Sequence, residues 1–281
     1  RAICDPGDEV IYHEPCFVAY APCITLAGGV PIPVATGDET DFQITAEMVE
    51  AAITPRTKAL FLGYPNNPTG AVLDREDLER IAAVAERHDL LVISDEIYER
   101  LVYGGHEHVA FSSLPGMRER TVLIGGFSKS YAMTGWRVGY VAAPAEVMTG
   151  IAKVHQYGIM CAPTAAQFAA VEALRSGERF VVEMQAEYDR RRQLMTRRLN
   201  EIGLHCFEPR GAFYCFPEIS STRMDDETFA QQLLLEERVA VVPGSAFGAS
   251  GADHVRVCYA TAYEEIAEAM DRIGRFVNNH R

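Results

Sequence analysis

Four short segments carry the residue types that do covalent chemistry. Tyr64-Pro65-Asn66-Asn67-Pro68-Thr69-Gly70 brings two amides and a tight turn. Asp95-Glu96-Ile97-Tyr98 brings a carboxylate and a phenol. Gly125-Gly126-Phe127-Ser128-Lys129 ends on an amine after a Gly/Ser turn, and Arg137 follows eight residues later. An amine that must react at neutral pH serves best as a Schiff-base former. A carboxylate near it keeps a heteroaromatic nitrogen protonated, so that the ring withdraws electrons. A phenol and an amide hydrogen-bond an oxygen on the same ring. An arginine beside a Gly/Ser turn holds a phosphate through charge-assisted hydrogen bonds. Aldehyde, ring nitrogen, ring oxygen and phosphate together describe pyridoxal 5′-phosphate. Singly, each segment has a plainer reading: PNNPTG as a turn, Asp95 as a helix cap, Lys129 as a solvated amine. Their order, each at the end of a strand-like run, favours a site.

The runs that must position them are short and apolar. Ala59–Gly63, Leu90–Ser94 and Thr121–Gly125 precede the first three segments, and Val138–Ala142 follows Arg137. Val10–His13 and Pro31–Thr36 read as two further strands, with space for a helix between them. Thr45–Ile53 fits a helix capped by Thr45. Asp74–Arg87 places Leu78, Ile81, Ala82 and Ala85 on one face, with Asp74 as its cap. Strands alternating with helices predict an α/β fold: a mixed, mostly parallel sheet flanked by helices. In such sheets ligands gather beyond the carboxyl ends of the strands. Near residue 178 the pattern changes. A long charged helix over Glu178–Glu201 leads into short strands at Ala212–Phe216, Val239–Val242 and Val255–Tyr259. Helices are expected at Asp225–Glu236 and Tyr263–Val277. This predicts a ligand-binding domain over 1–177 and a smaller α+β C-terminal domain over 178–281.

Composition removes whole classes. In 281 residues, 39 acidic side chains against 26 basic ones give a net charge of −13. That argues against nucleic-acid binding, which needs Lys and Arg to neutralise phosphates. The seven cysteines are odd in number and form no C-x-x-C pair, so they are expected to be buried free thiols in a reducing, cytoplasmic compartment. The eight histidines offer no metal-binding set, and His106 and His108 read as loop residues. Residues 15–37 and 154–171 are uncharged, but prolines, glycines and polar residues interrupt them, so no membrane span is expected. The opening RAICDPGDEV lacks a targeting pattern and reads as the end of a helix entering a turn.

The run Gly126-Phe127-Ser128-Lys129-Ser130-Tyr131-Ala132-Met133-Thr134-Gly135-Trp136-Arg137-Val138-Gly139 resembles the lysine signature of the class I/II aminotransferases, fold-type I enzymes dependent on pyridoxal phosphate. PNNPTG, DEIY and His254-Val255-Arg256-Val257-Cys258-Tyr259-Ala260-Thr261 resemble the other blocks of that family, in its order. The resemblance covers essentially the whole chain. It implies that Lys129 carries the cofactor as a Schiff base and then moves the proton. It implies that Asp95 pairs with the ring nitrogen, and that Tyr98 and Asn67 hydrogen-bond the ring oxygen. Ser128 and Arg137 would hold the phosphate, Phe17 would stack on the ring, and Arg256 would bind the substrate α-carboxylate. The implied reaction moves an amino group from an L-amino acid to a 2-oxo acid in ping-pong fashion. The same scaffold also serves C–S lyases and non-catalytic effector modules that bind the cofactor, and these stand as alternatives. The sequence departs from the pattern in two places. Gly126 stands where many relatives have serine. The resemblance also places about a hundred residues upstream of Arg1, including a phosphate-binding loop and a tyrosine lent to a neighbouring subunit. A homodimer is the implied assembly.

Overall fold

The computed structural model describes residues 1–281. The apolar runs become strands because six of them pair into one sheet. They are β1 (Glu9–Glu14), β2 (Val30–Ala35), β3 (Thr57–Gly63), β4 (Leu91–Asp95), β5 (Thr121–Gly126) and β6 (Gly139–Ala142), in the order β2-β1-β3-β4-β5-β6. All neighbours are parallel except β5 and β6, which run antiparallel. Successive side chains on a strand face opposite ways. Ile11, Leu60, Leu62 and Val92 therefore share one core with Leu78, Ile81, Ala82 and Ala85 of helix α3 (Arg75–Arg87) and Val49 of helix α2 (Ala46–Ala52). Val10, Tyr12, Ala59 and Phe61 face the other way, against Tyr20 and Ile24 of helix α1 (Tyr20–Leu26). Burial on both faces, at about 1.5–3 kcal/mol for each large side chain, holds the strand ends rigidly.

A second, antiparallel sheet of three short strands follows, in the order β7-β9-β8: β7 (Tyr214–Cys215), β8 (Val242–Pro243) and β9 (Val255–Cys258). Helices α6 (Glu178–Ile202), α7 (Asp226–Glu237) and α8 (Tyr263–Asn279) cover it. Leu194, Leu199, Phe229, Leu233, Ile266, Met270 and Phe276 form its core. Tyr98, Leu101 and Tyr103, which follow β4, are buried in this same core. The turn after Asp95 is thus anchored on the second sheet as well as the first.

Several expectations need correction. The second small strand, expected over Val239–Val242, is only Val242–Pro243; Arg238 takes a left-handed conformation and Val239 instead packs on the core from a loop. Helices α4 (Ala145–Gly158) and α5 (Thr164–Ser176), for which there was no helical reading, flank residues 159–163 and each take in part of the uncharged stretch 154–171. Thr45 caps α2 by accepting from the Met48 N–H, but the Asp74 side chain caps nothing and lies instead 3.3 Å from His106. Of the seven thiols, Cys16, Cys206 and Cys215 are buried, while Cys23, Cys161 and Cys258 are exposed and Cys4 is intermediate. No helix is long and apolar enough to cross a membrane.

Candidate active site

The carboxyl ends of β3, β4 and β5 open on a cleft of about 470 Å³, within the usual range for a small-molecule site. Phe17, Asn67, Asp95, Tyr98, Ser128, Lys129, Arg137 and Arg256 all line it. The parallel register sets Gly63 beside Asp95, and Asp95 beside Ile124, which brings Asn67, Asp95 and Lys129 to one end of the sheet; Arg256 joins them from β9 of the second sheet. Tyr20, Thr134 and Tyr214 also line the cleft, and none of these three was singled out by sequence.

Asp95 ends β4. Its Oδ1 accepts from the Ile97 N–H at 3.2 Å, and its Oδ2 accepts from the Tyr20 hydroxyl at 2.8 Å. Burial raises its pKa; the two donors and the neighbouring Glu96 charge modify that shift without supplying a cation. Tyr20 reaches it by stacking on Phe61 with ring centres 4.0 Å apart. That path crosses β3 directly over Gly63. A Cβ built there would lie 2.4 Å from the Tyr20 hydroxyl. The glycine therefore admits the phenol. The alternating period of a strand gives no hint of this requirement.

The amine comes from the connection between β5 and β6. Tyr131 and Met133 donate their N–H groups to the Phe127 carbonyl, folding residues 127–133 into a tight loop. Thr134 Oγ1 donates to the Ser128 carbonyl at 2.8 Å, and Arg137 Nη1 donates to the Thr134 carbonyl at 2.9 Å. Arg137 sits at φ 55°, a left-handed conformation that costs a non-glycine residue about 1–2 kcal/mol. That strain sets the guanidinium beside Ser128 and Thr134 in the cleft lining. Lys129 Nζ is half-buried, 5.5 Å from the centre of the Phe213 ring. Desolvation lowers its pKa, and the charges of Arg256 and Arg137 act in the same direction, against the opposing Cys258. An amine so placed is more often neutral, and therefore more nucleophilic, than a solvated lysine. At Gly126 a Cβ would meet Ile97 Cδ1 at 3.0 Å and Gly139 Cα at 3.1 Å, so the glycine answers to close packing.

The PNNPTG turn divides its two amides. Asn66 is buried and structural: its Oδ1 accepts from the Thr69 N–H at 3.1 Å and its Nδ2 donates to the Pro15 carbonyl at 3.2 Å. Asn67 faces the cleft, where its Oδ1 accepts from Arg256 Nη1 at 2.8 Å. Arg256 on β9 is flanked by the rings of Tyr214 and Phe247, while its buried Nε has no acceptor. Tyr98 is buried, its hydroxyl 3.1 Å from that of Tyr214. Phe17 is 43% exposed and meets Tyr20 edge-on, leaving its ring accessible from the cleft.

Residues 1–273 match the family model of aminotransferase class I and II. The chain belongs to this family. It is 48% identical over 277 residues to an aspartate aminotransferase of Pyrococcus abyssi, covering 98% of this chain and 71% of that one. It is 47% identical over 277 residues to aromatic-amino-acid aminotransferase 2 of Thermococcus litoralis, with the same coverage. The solved aromatic aminotransferase of Pyrococcus horikoshii superposes with a TM-score of 0.96 at 48% identity, over 99% of this chain and 75% of that one. The aminotransferase therefore uses pyridoxal 5′-phosphate to pass an amino group between an amino acid and a keto acid. The mixed sheet with its smaller antiparallel companion is the architecture of its relatives.

The residues present suit that cofactor. A carboxylate raised in pKa by burial, with only a phenol and an amide as donors, calls for a cation such as a protonated ring nitrogen. Two arginines and a lysine in one cleft call for anions, and a phosphate and a carboxylate would supply them.

Proposed function

We propose that Lys129 bonds the cofactor aldehyde and that Asp95 faces its ring nitrogen. In this reading Tyr98 and Asn67 contact the ring oxygen, Ser128 and Arg137 hold the phosphate, Phe17 covers the ring, and Arg256 receives the substrate α-carboxylate. One observation carries the proposal: an amine with lowered proton affinity and a part-buried carboxylate without a cation line the same cleft. When bound, the cofactor supplies an electron sink that makes the substrate Cα proton acidic. Asp95 keeps negative charge where the sink needs it. Arg256 fixes the carboxylate through its planar fork, so that the Cα–H bond has one orientation. Once the substrate amine has displaced it from the aldehyde, Lys129 Nζ would be free to take the Cα proton, a role that requires an amine often neutral at neutral pH. The relatives are named for transamination, which favours it over C–S cleavage or a sensor role.

The preferred donor is an aromatic or other neutral amino acid. Phe17, Tyr20 and Tyr214 line the cleft, whose only arginines are Arg137 and Arg256. An acidic side chain would need a third. We further assign 1–177 to the cofactor-binding domain and 178–281 to the smaller one, since α6 opens the second core. A cytoplasmic homodimer completes the proposal. Its support is the apolar surface of α4, α5 and their connection, where Tyr157, Ile159, Met160, Phe168 and Leu174 are exposed. Surface of this kind marks an interface.

The test is borohydride trapping. Reduction of the protein mixed with pyridoxal phosphate should add the cofactor mass to the peptide holding Lys129, and Lys129→Ala should lose both the adduct and turnover. An adduct on another lysine overturns the site. In parallel, phenylalanine or tyrosine should exceed aspartate in kcat/KM; a preference for aspartate would refute the donor class.

A further inference from the structure

Tyr214 is nearly fully buried, and its hydrogen bond differs from those of its neighbours. Tyr103 and Tyr259, in the same core, both donate to the Ala212 carbonyl, as structural tyrosines do. Tyr214 instead places its hydroxyl 3.1 Å from that of Tyr98. Its ring does separate work: Arg256 Cζ lies 4.4 Å from the ring centre. The backbone dictates both contacts. Tyr214 pairs with Cys258 across β7 and β9, and Arg256 precedes Cys258 by two residues, so it lies on the same face of the strand.

Resting on the assignment of Tyr98 and Arg256 given above, we propose that Tyr214 is a positioning residue for both halves of the site. Its hydroxyl supports the Tyr98 phenol, and its ring face orients the Arg256 guanidinium. The two contacts act through different physics. A phenol that accepts a hydrogen bond becomes a better donor, because bonds in a chain polarise one another. Both phenols are driven by burial toward their protonated forms, so both retain a hydrogen to donate. Donation from Tyr214 to Tyr98 strengthens donation from Tyr98 to the ring oxygen. The second contact is a cation on an aromatic face. With Phe247 4.8 Å from the same guanidinium carbon and Asn67 on one nitrogen, the fork is held in its plane. The remaining edge is left for a carboxylate.

Two substitutions separate these roles. Tyr214→Phe keeps the ring and removes the hydroxyl. A weaker donor at Tyr98 stabilises the ring oxygen anion less. The pH midpoint of the bound cofactor's visible absorbance should therefore rise by about 0.2–0.6 unit. Affinity for 3-phenylpropionate, a carboxylate that cannot react, should stay within twofold. Tyr214→Leu removes both contacts. It should shift the midpoint similarly and weaken 3-phenylpropionate about three- to thirtyfold, read by spectral titration. Tyr214→Phe is nearly isosteric, so it tests the relay even if the leucine variant folds poorly. A phenylalanine variant that titrates like the parent overturns the relay. For the guanidinium contact, Phe and Leu variants of equal carboxylate affinity overturn it, and so does a lower melting temperature in both with neither binding readout moved. Should the parent show no visible band that depends on Lys129, the underlying site assignment has failed instead.

Discussion

Removing one oxygen tests how Asp95 is held. Tyr20→Phe deletes the 2.8 Å hydrogen bond to Asp95 Oδ2 and leaves the ring stacked on Phe61. A hydrogen bond to a charged group contributes about 1.5–3 kcal/mol. Each 1.36 kcal/mol corresponds to about one pKa unit, so loss of the phenol should raise the Asp95 pKa by about one to two units. An acid that gives up its charge more easily pairs less well with a ring cation. At the lower limit kcat/KM falls about tenfold, with the melting temperature almost unchanged. Gly63→Ala should reach the same end by another route, because its Cβ would meet the Tyr20 hydroxyl at 2.4 Å. If both act through that one bond, the double variant should be little worse than the worse single one. Steady-state kinetics and cofactor titration on the four proteins complete the cycle. Full additivity, or a Tyr20→Phe enzyme within twofold of the parent, would refute the reasoning.

Two other outcomes are expected. Arg256→Lys replaces a planar fork with a point charge. KM for the amino acid should rise about ten- to hundredfold, while the visible absorbance of the bound cofactor is kept; a KM within threefold would remove Arg256 from the carboxylate site. His13 concerns stability. Burial pushes its pKa from 6.5 to about 3, and its Nε2 accepts from the Gly63 N–H. Between those two pH values the unfolded chain holds the extra proton, so stability falls as pH drops below about 6.5. This histidine alone should cost about 1.4 kcal/mol between pH 7.5 and 5.5. Urea midpoints at both values, compared with His13→Gln, measure it; equal slopes in the two proteins would show that His13 does not titrate this way.

The strands of the large sheet were legible because each is a short apolar run closed by a turn. The site was legible because its charged and polar residues stand at the ends of those runs. What escaped has physical causes. Helices α4 and α5 expose Tyr157 and Phe168 among other apolar residues, so no polar face marks their period. The antiparallel direction of β6 is invisible in a composition like that of its parallel neighbours. Tyr20 and Tyr214 were missed because a buried tyrosine near a strand reads as core. Their hydroxyl partners, Asp95 and Tyr98, lie 75 and 116 residues away. A clue did exist for Tyr20, in the short interval from Phe17. The division of labour between Asn66 and Asn67 required coordinates, since either amide can satisfy a turn.

The hydrogen bond between Asn67 and Arg256 is also a clasp between the two sheets: one partner follows β3 and the other stands on β9. In the proposed reading a carboxylate would take the free edge of that guanidinium while the amide keeps its own nitrogen, so ligand and clasp would share one side chain. A ligand held there would touch both banks of the cleft through one residue, since Arg256 stands on the small sheet and its amide partner follows a strand of the large one.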